Sequence, residues 1–155
     1  MSRIQAEDMQ LELIKLSWST LKLSGKLDAF SVDFHSMFVE ANPGRFELFQ
    51  QDKSVQQARL LSMVTELVCE SSLYFGHGTN SGTAIATSLA KKHNALSVNP
   101  DDFNTFLRCL LFALEKNLNG IWNDEMRQAW EQSYNSFAKK IIIAMEEDSI
   151  IDLRQ

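Results

Sequence analysis

Apolar residues recur along this chain at intervals of three and four, and very little interrupts them. Two prolines and six glycines are spread over 155 residues, which leaves room for long helices and few tight turns. The first stripe runs between Ala6 and Leu23 through Leu11, Ile14, Trp18 and Leu21, and Ser24-Gly25 closes it. A second carries Leu27, Phe30, Phe34, Met37 and Phe38 and ends at Asn42-Pro43-Gly44. Leu60, Leu61, Val64, Leu67 and Val68 form a third face. Gly, Asn, Ser and Thr then cluster between Gly76 and Gly82, the loosest part of the chain. Ile85, Leu89 and Leu96 define a short helical face with His93 in its middle. Asn99-Pro100-Asp101-Asp102 is a strong helix start: a capping amide, a proline for the first turn and two carboxylates at the positive end of the dipole. The stripe that follows is the most regular, with Phe103, Phe106, Leu107, Leu110, Leu111, Leu114 and Leu118. Asn123-Asp124-Glu125 opens the last helix, with Met126, Trp130, Phe137, Ile141 and Met145 inward. The acidic tail from Glu146 is expected to fray. No long strand-like alternation, internal repeat or low-complexity stretch appears, so the reading is one all-α domain of six or seven helices.

Composition narrows the function classes. The length suits one domain, and 45% hydrophobic residues with ten Phe and three Trp exclude a disordered chain. A domain of this size buries roughly 70% of its unfolded surface, enough for a core with room for a cofactor. The net charge of −5 speaks against nucleic acid or an anionic membrane as partner. Apolar runs such as Ile141 to Met145 fall far short of the about 20 residues of a membrane span. The first eight residues have no apolar centre of the kind a signal peptide carries. Cys69 and Cys109 are too few for a disulfide framework or a thiolate metal site. A reduced cytoplasmic setting is the expectation.

Constellations with chemistry are scarce. There is no Cys/His pair, no Gly-rich phosphate loop and no serine-nucleophile motif. Asp101/Asp102 and Glu146/Glu147 sit at helix ends, where the dipole and solvation account for them. His93 shares a face with Leu89 and Leu96, His35 stands at the edge of its helix's apolar stripe, and His77 lies in the Gly-rich loop. Taken singly each is explained by packing or solvation.

Their company changes the reading. Phe38 is followed by Ala41-Asn42-Pro43 and then by Phe46 and Phe49, while His93 precedes Pro100 by seven residues, with Phe103 beyond it. Fourteen residues separate His35 from Phe49 and eight separate His35 from Pro43. Trp18 stands in the first helix, and Trp130 and Tyr134 in the last. This arrangement resembles the globin family over roughly Gln10 to Met145. The resemblance implies a globin fold of six to eight helices around a heme pocket. It covers a single domain over residues 1–155, with a core at about 10–145 and an acidic tail at 146–155.

The resemblance also assigns residues. His93 would be the proximal iron ligand of heme b, a role that suits a neutral imidazole on an apolar face. Its other ring nitrogen would bond the backbone carbonyl one turn earlier, near Leu89. Leu89, Leu96, Val98, Phe103 and Leu107 would pack against the porphyrin, and Phe49 would lie against its plane. On the distal side His35 stands where many globins carry Leu, Phe or Tyr, so a histidine there departs from the pattern. Aligning the apolar face of the third helix puts Gln56 at the ligand-facing position, Arg59 near the heme edge or a propionate, and Leu60 over the iron. A slip of one turn would give the ligand-facing position to Leu60 instead.

A polar distal pair has a physical consequence. Bound dioxygen carries partial negative charge on its outer atom, and a hydrogen bond to a charged group contributes ~1.5–3 kcal/mol, equivalent to ~10- to 100-fold in ligand escape. Neutral His35 and the Gln56 amide both have a proton to donate, which leads to the expectation of slow oxygen release. Coordination of the iron by His35 itself is the other reading of that residue. The implied ligands are O2, CO and NO, for storage, transport or NO detoxification. NO oxidation would require an external reductase, and Phe103 stands where bacterial flavohemoglobins carry a tyrosine that supports the proximal histidine. The alternatives are a heme-based gas sensor acting through a partner, a globin-fold module without heme, and a non-globin helical adaptor. Oligomeric state is left open.

Overall fold

Five α-helices, with no strand, make up the described residues of the computed structural model, which are 3–41, 53–75 and 100–153, with side chains described within 8–41, 54–68 and 100–148. They are α1 (Arg3–Leu23), α2 (Leu27–Ala41), α3 (Lys53–Phe75), α4 (Pro100–Asn117) and α5 (Asp124–Leu153). The all-α expectation holds. Each observed helix coincides with one of the apolar stripes, because helical spacing puts those side chains on one face.

The helix ends follow from local chemistry. After α1 the chain reverses through Gly25, whose φ of 70° lies in the left-handed region that glycine enters without a steric penalty. The Lys26 amide donates to the Leu21 carbonyl at 3.0 Å and the Gly25 amide to Lys22 at 3.2 Å, the paired bonds of a glycine-terminated helix. Lys26 at once offers its own carbonyl to the Phe30 amide at 2.9 Å, so α2 begins with almost no loop. Pro100 is the first residue of α4, where its missing N–H costs nothing. Asn123 caps α5: its side-chain oxygen accepts from the Met126 amide at 2.8 Å, satisfying a donor that the first turn leaves open. At the other end α5 continues through Leu153, beyond the fraying expected from Glu146. No glycine or proline follows Gly120, so the backbone meets no stop signal there.

The core joins all five helices. Ile14, Trp18 and Leu21 of α1, Phe30 and Phe34 of α2, Leu60, Val64 and Leu67 of α3, Leu110 and Leu114 of α4, and Trp130 and Ile141 of α5 belong to one buried cluster. The most extensive packing is α2 on α4, while α1 lies against both α5 and α3. Aromatic rings carry the α2–α4 contact into α5. Phe34 stacks on Phe38 at 5.6 Å and meets the edge of Phe106 at 4.7 Å, and Phe106 stacks on Tyr134 at 5.7 Å. Trp18 meets Phe30 edge to face at 5.7 Å and ties α1 to α2. Such pairs contribute about 0.5–1.5 kcal/mol each beyond the area they bury. The indole nitrogens of Trp18 and Trp130 are buried without a hydrogen-bond partner, a cost the surrounding apolar contacts of these large rings offset.

One polar clamp fixes α2 on α4. Asp33 accepts from the Asn117 amide at 2.9 Å and from the Lys116 ammonium at 3.0 Å, and Asn117 also donates to the Ala113 carbonyl at 2.8 Å. Asn117 is buried, so its bond is worth more than the exposed lysine contact. Asp33→Ala is expected to lower stability by about 1–2 kcal/mol, read as a lower urea midpoint at unchanged slope. Lys116→Met should shift that midpoint much less.

Candidate functional site

Asp28, Ser31 and His35 follow one another at intervals of three and four on α2, so they share one stripe of that helix. Gln57 of α3 donates its side-chain amide to the Asp28 carboxylate, which identifies the stripe as the one turned towards α3. His35 therefore lies on the α3 side of α2, while Phe34, one residue earlier, faces α4 and Phe106. Gln56, Arg59 and Leu60 lie in the first half of α3, next to Gln57 in sequence. Phe38, one turn beyond His35, is stacked on Phe34 and stands 6.2 Å from Phe106.

His35 is half-buried and its ring is held from one side. Its Nδ1 lies 2.9 Å from the Ser31 carbonyl oxygen, one turn back in the helix, and 3.4 Å from the Ser31 hydroxyl. The Phe34 ring meets the imidazole edge to face at 5.5 Å. Burial holds the pKa of His35 below the usual histidine value, opposed by the weaker effect of the Ser31 bond. The ring is neutral at pH 7 as a result.

The other expected residues fall into three groups. Leu60 is buried in the core and Leu107 is partly buried against it. Gln56 is partly buried and Arg59 exposed. Phe103 is buried, and its backbone carbonyl accepts from the Tyr134 hydroxyl at 2.8 Å. Burial drives the Tyr134 pKa far up, with the Cys109 thiol adding to the effect, so this hydroxyl stays a donor. His93, Phe49, Leu89, Leu96 and Val98 lie outside the described residues, as do His77 and the Gly76 to Gly82 loop. Phe38 and Phe106 are not marked as site residues by sequence. The signal is present, since Phe38 stands three residues after His35 and Phe106 one before Leu107, but helical spacing marks core and pocket wall alike.

A cavity of about 230 Å³ opens beside Phe103, between the start of α4 and the middle of α5. Pro100, Phe103, Tyr134, Ala138, Ile142 and Ile143 are among its walls. Cys109 is buried and free, and burial pushes its thiol up to about 11, so it is no nucleophile at neutral pH. Among the described residues no group of three or more His, Cys, Asp or Glu side chains is placed to hold a metal ion. No helix among them is long and apolar enough to cross a membrane.

The Globin family model matches residues 32–141, from the second turn of α2 into α5 and well over half of the chain. The chain belongs to the globin family. The match spans His35, Pro43, Phe49, His93 and Pro100, which are among the residues on which the sequence resemblance rested. No curated protein is a significant match. Globins as a family hold heme and bind small gases, and the described residues fit such a group chemically. Phe38, Phe106 and Leu107 are partly buried apolar side chains bordering the core, as a flat macrocycle requires. Beside them His35 offers a neutral imidazole whose Nδ1 is already engaged.

The lowered pKa of His35 makes a prediction about stability. Between its folded value and the ordinary value near 6.5, the unfolded chain binds a proton that the folded globin does not. Stability is therefore full above about pH 6.5 and declines as the pH falls below it. Urea unfolding of wild type and His35→Phe between pH 7.5 and 5.0 should show a steeper loss in wild type, and equal slopes would contradict the assignment.

Proposed function

We propose that this globin binds heme b through His93 and takes up a diatomic gas, O2 in the first instance, on the side of the heme that faces α2 and α3. The observation that carries the reading is the family match over residues 32–141, within which the chain has a histidine at 93 and a phenylalanine at 49. Heme, when bound, would supply an iron able to take up a gas. His93 would hold the group through one ring nitrogen, with the other donating to the carbonyl near Leu89. Phe49 would lie against the macrocycle, and Leu89, Leu96, Val98, Phe103 and Leu107 would pack around it and exclude water. Arg59, exposed on α3, has the reach and charge to pair with a propionate at the heme edge. Gln56 would sit above the ligand and donate its amide to it, with Leu60 as the alternative if the register is one turn later. His35 completes the distal side.

The whole of residues 1–155 is read as one globin domain. α1 precedes the matched region, but its Ile14, Trp18 and Leu21 share the common buried cluster, which supports its inclusion. The setting proposed is cytoplasmic. Storage or transport of oxygen is the simplest role, and sustained NO detoxification would require electrons from an external reductase.

The test is a visible spectrum of the purified protein in its ferric, ferrous and ferrous–carbon monoxide forms, beside His93→Ala. A strong heme band in wild type, lost or severely weakened in the variant, is the expected result. Absence of a heme band after addition of hemin would overturn the proposal and leave a heme-free globin-fold module. A band that survives His93→Ala unchanged would remove His93 from the role of ligand.

A further inference from the structure

We propose that His35 acts in the gas site as a hydrogen-bond acceptor, through a lone pair on Nε2, and that it favours ligands that carry a hydrogen, such as water or hydrogen sulfide, over dioxygen. The inference rests on the distal placement of His35 proposed above and concerns which nitrogen of its ring holds the proton.

A carbonyl oxygen only accepts. The Ser31 carbonyl stands 2.9 Å from Nδ1, so the single ring proton of the neutral imidazole belongs on Nδ1. The alternative has the Ser31 hydroxyl donating to a bare Nδ1, over a longer 3.4 Å, and it would set the Nδ1 lone pair against the carbonyl oxygen at closer range. The shorter contact decides. With Nδ1 protonated, Nε2 is left as a lone pair, and no described residue is hydrogen-bonded to it. Burial keeps the ring neutral, so a second proton does not convert Nε2 to a donor at neutral pH. His35 shares its stripe of α2 with Asp28, which bonds Gln57 of α3, so it stands on the side of α2 that carries the contact with α3. The sequence expectation has His35 donating to bound dioxygen. The ring has no proton left for that, and a lone pair facing the negative outer atom of dioxygen repels it. Donation to a gas then falls to Gln56, and His35 selects in the opposite sense.

Two measurements on the full chain test this. The first is the ¹⁵N chemical shift pair of the His35 ring in the ferrous–carbon monoxide protein at pH 7. A protonated Nδ1 with a bare Nε2 supports the proposal, and a protonated Nε2 overturns it. The second compares wild type with His35→Leu and His35→Gln in two readouts. For His35→Leu, which removes the repelling lone pair, oxygen release should be as slow as in wild type or slower, while retention of water in the ferric ligand site weakens about 3- to 10-fold. His35→Gln puts an amide donor in place of the lone pair and should slow oxygen release by about 10-fold. Release about 10-fold faster in His35→Leu would overturn the acceptor role and reinstate the donor. A six-coordinate unliganded ferrous spectrum that turns five-coordinate in His35→Leu would overturn it too, since Nε2 would then be an iron ligand. Failure to take up hemin overturns the gas-binding reading, whereas hemin uptake with a protonated Nε2 overturns this proposal alone.

Discussion

The contact between α2 and α4 sets everything else in this molecule. Three rings, Phe34, Phe38 and Phe106, interlock across it, and Asp33 with Asn117 closes it from the polar side. Apolar packing alone would tolerate a slide of one helix along the other by a turn, since phenylalanine is a good neighbour for phenylalanine at many offsets. A carboxylate that must meet a buried amide tolerates no such slide, because a displaced Asn117 would lose a charge-assisted bond and gain nothing. The clamp therefore fixes the rotation of α2 about its axis. Once Asp33 and Phe34 are committed to α4, His35, one position beyond Phe34, is turned to the other side of α2. That is how a packing constraint on one face of a helix delivers His35 to the other.

Much of this is legible from sequence, for an identifiable reason. Helical spacing is a property of the chain itself, so Ile14, Trp18, Phe30, Val64, Leu110, Trp130 and Ile141 read as core from their intervals alone, and all of them are buried. The stop at Ser24-Gly25 and the start at Asn123 are equally plain, since each rests on the conformational or hydrogen-bonding habit of one residue. The length of α5 departs from expectation for the same kind of reason. Acidic character reads as fraying, whereas helix termination needs a residue that breaks the backbone pattern, and none follows Gly120.

What sequence does not supply is orientation within a stripe. Spacing places His35 at an apolar edge but does not say which ring nitrogen faces the helix backbone, and the donor or acceptor character of histidine turns entirely on that. Nor does it separate Phe103 from Phe106. Both follow the same period, yet one offers its backbone carbonyl to Tyr134 and the other stacks on the Tyr134 ring. These distinctions come from the relative rotation of packed helices, a property of pairs of elements that no single segment encodes.

The Ser31–His35 bond also bears on how one helical device serves opposite purposes. A histidine whose Nδ1 proton goes to the carbonyl one turn earlier presents Nε2 as a Lewis base, the form a metal ion needs. The same arrangement is the one proposed for His93 through the carbonyl near Leu89. Even if His93 were prepared in the same way, the two histidines would not have to act alike, because coordination also requires Nε2 to come within about 2 Å of the metal. A base held farther back finds its next best partner in the hydrogen of whatever occupies the space between. On that argument the tautomer is set by the helix and the role by distance. With His35 as an acceptor, any attraction to a negatively polarised gas would fall to the Gln56 amide.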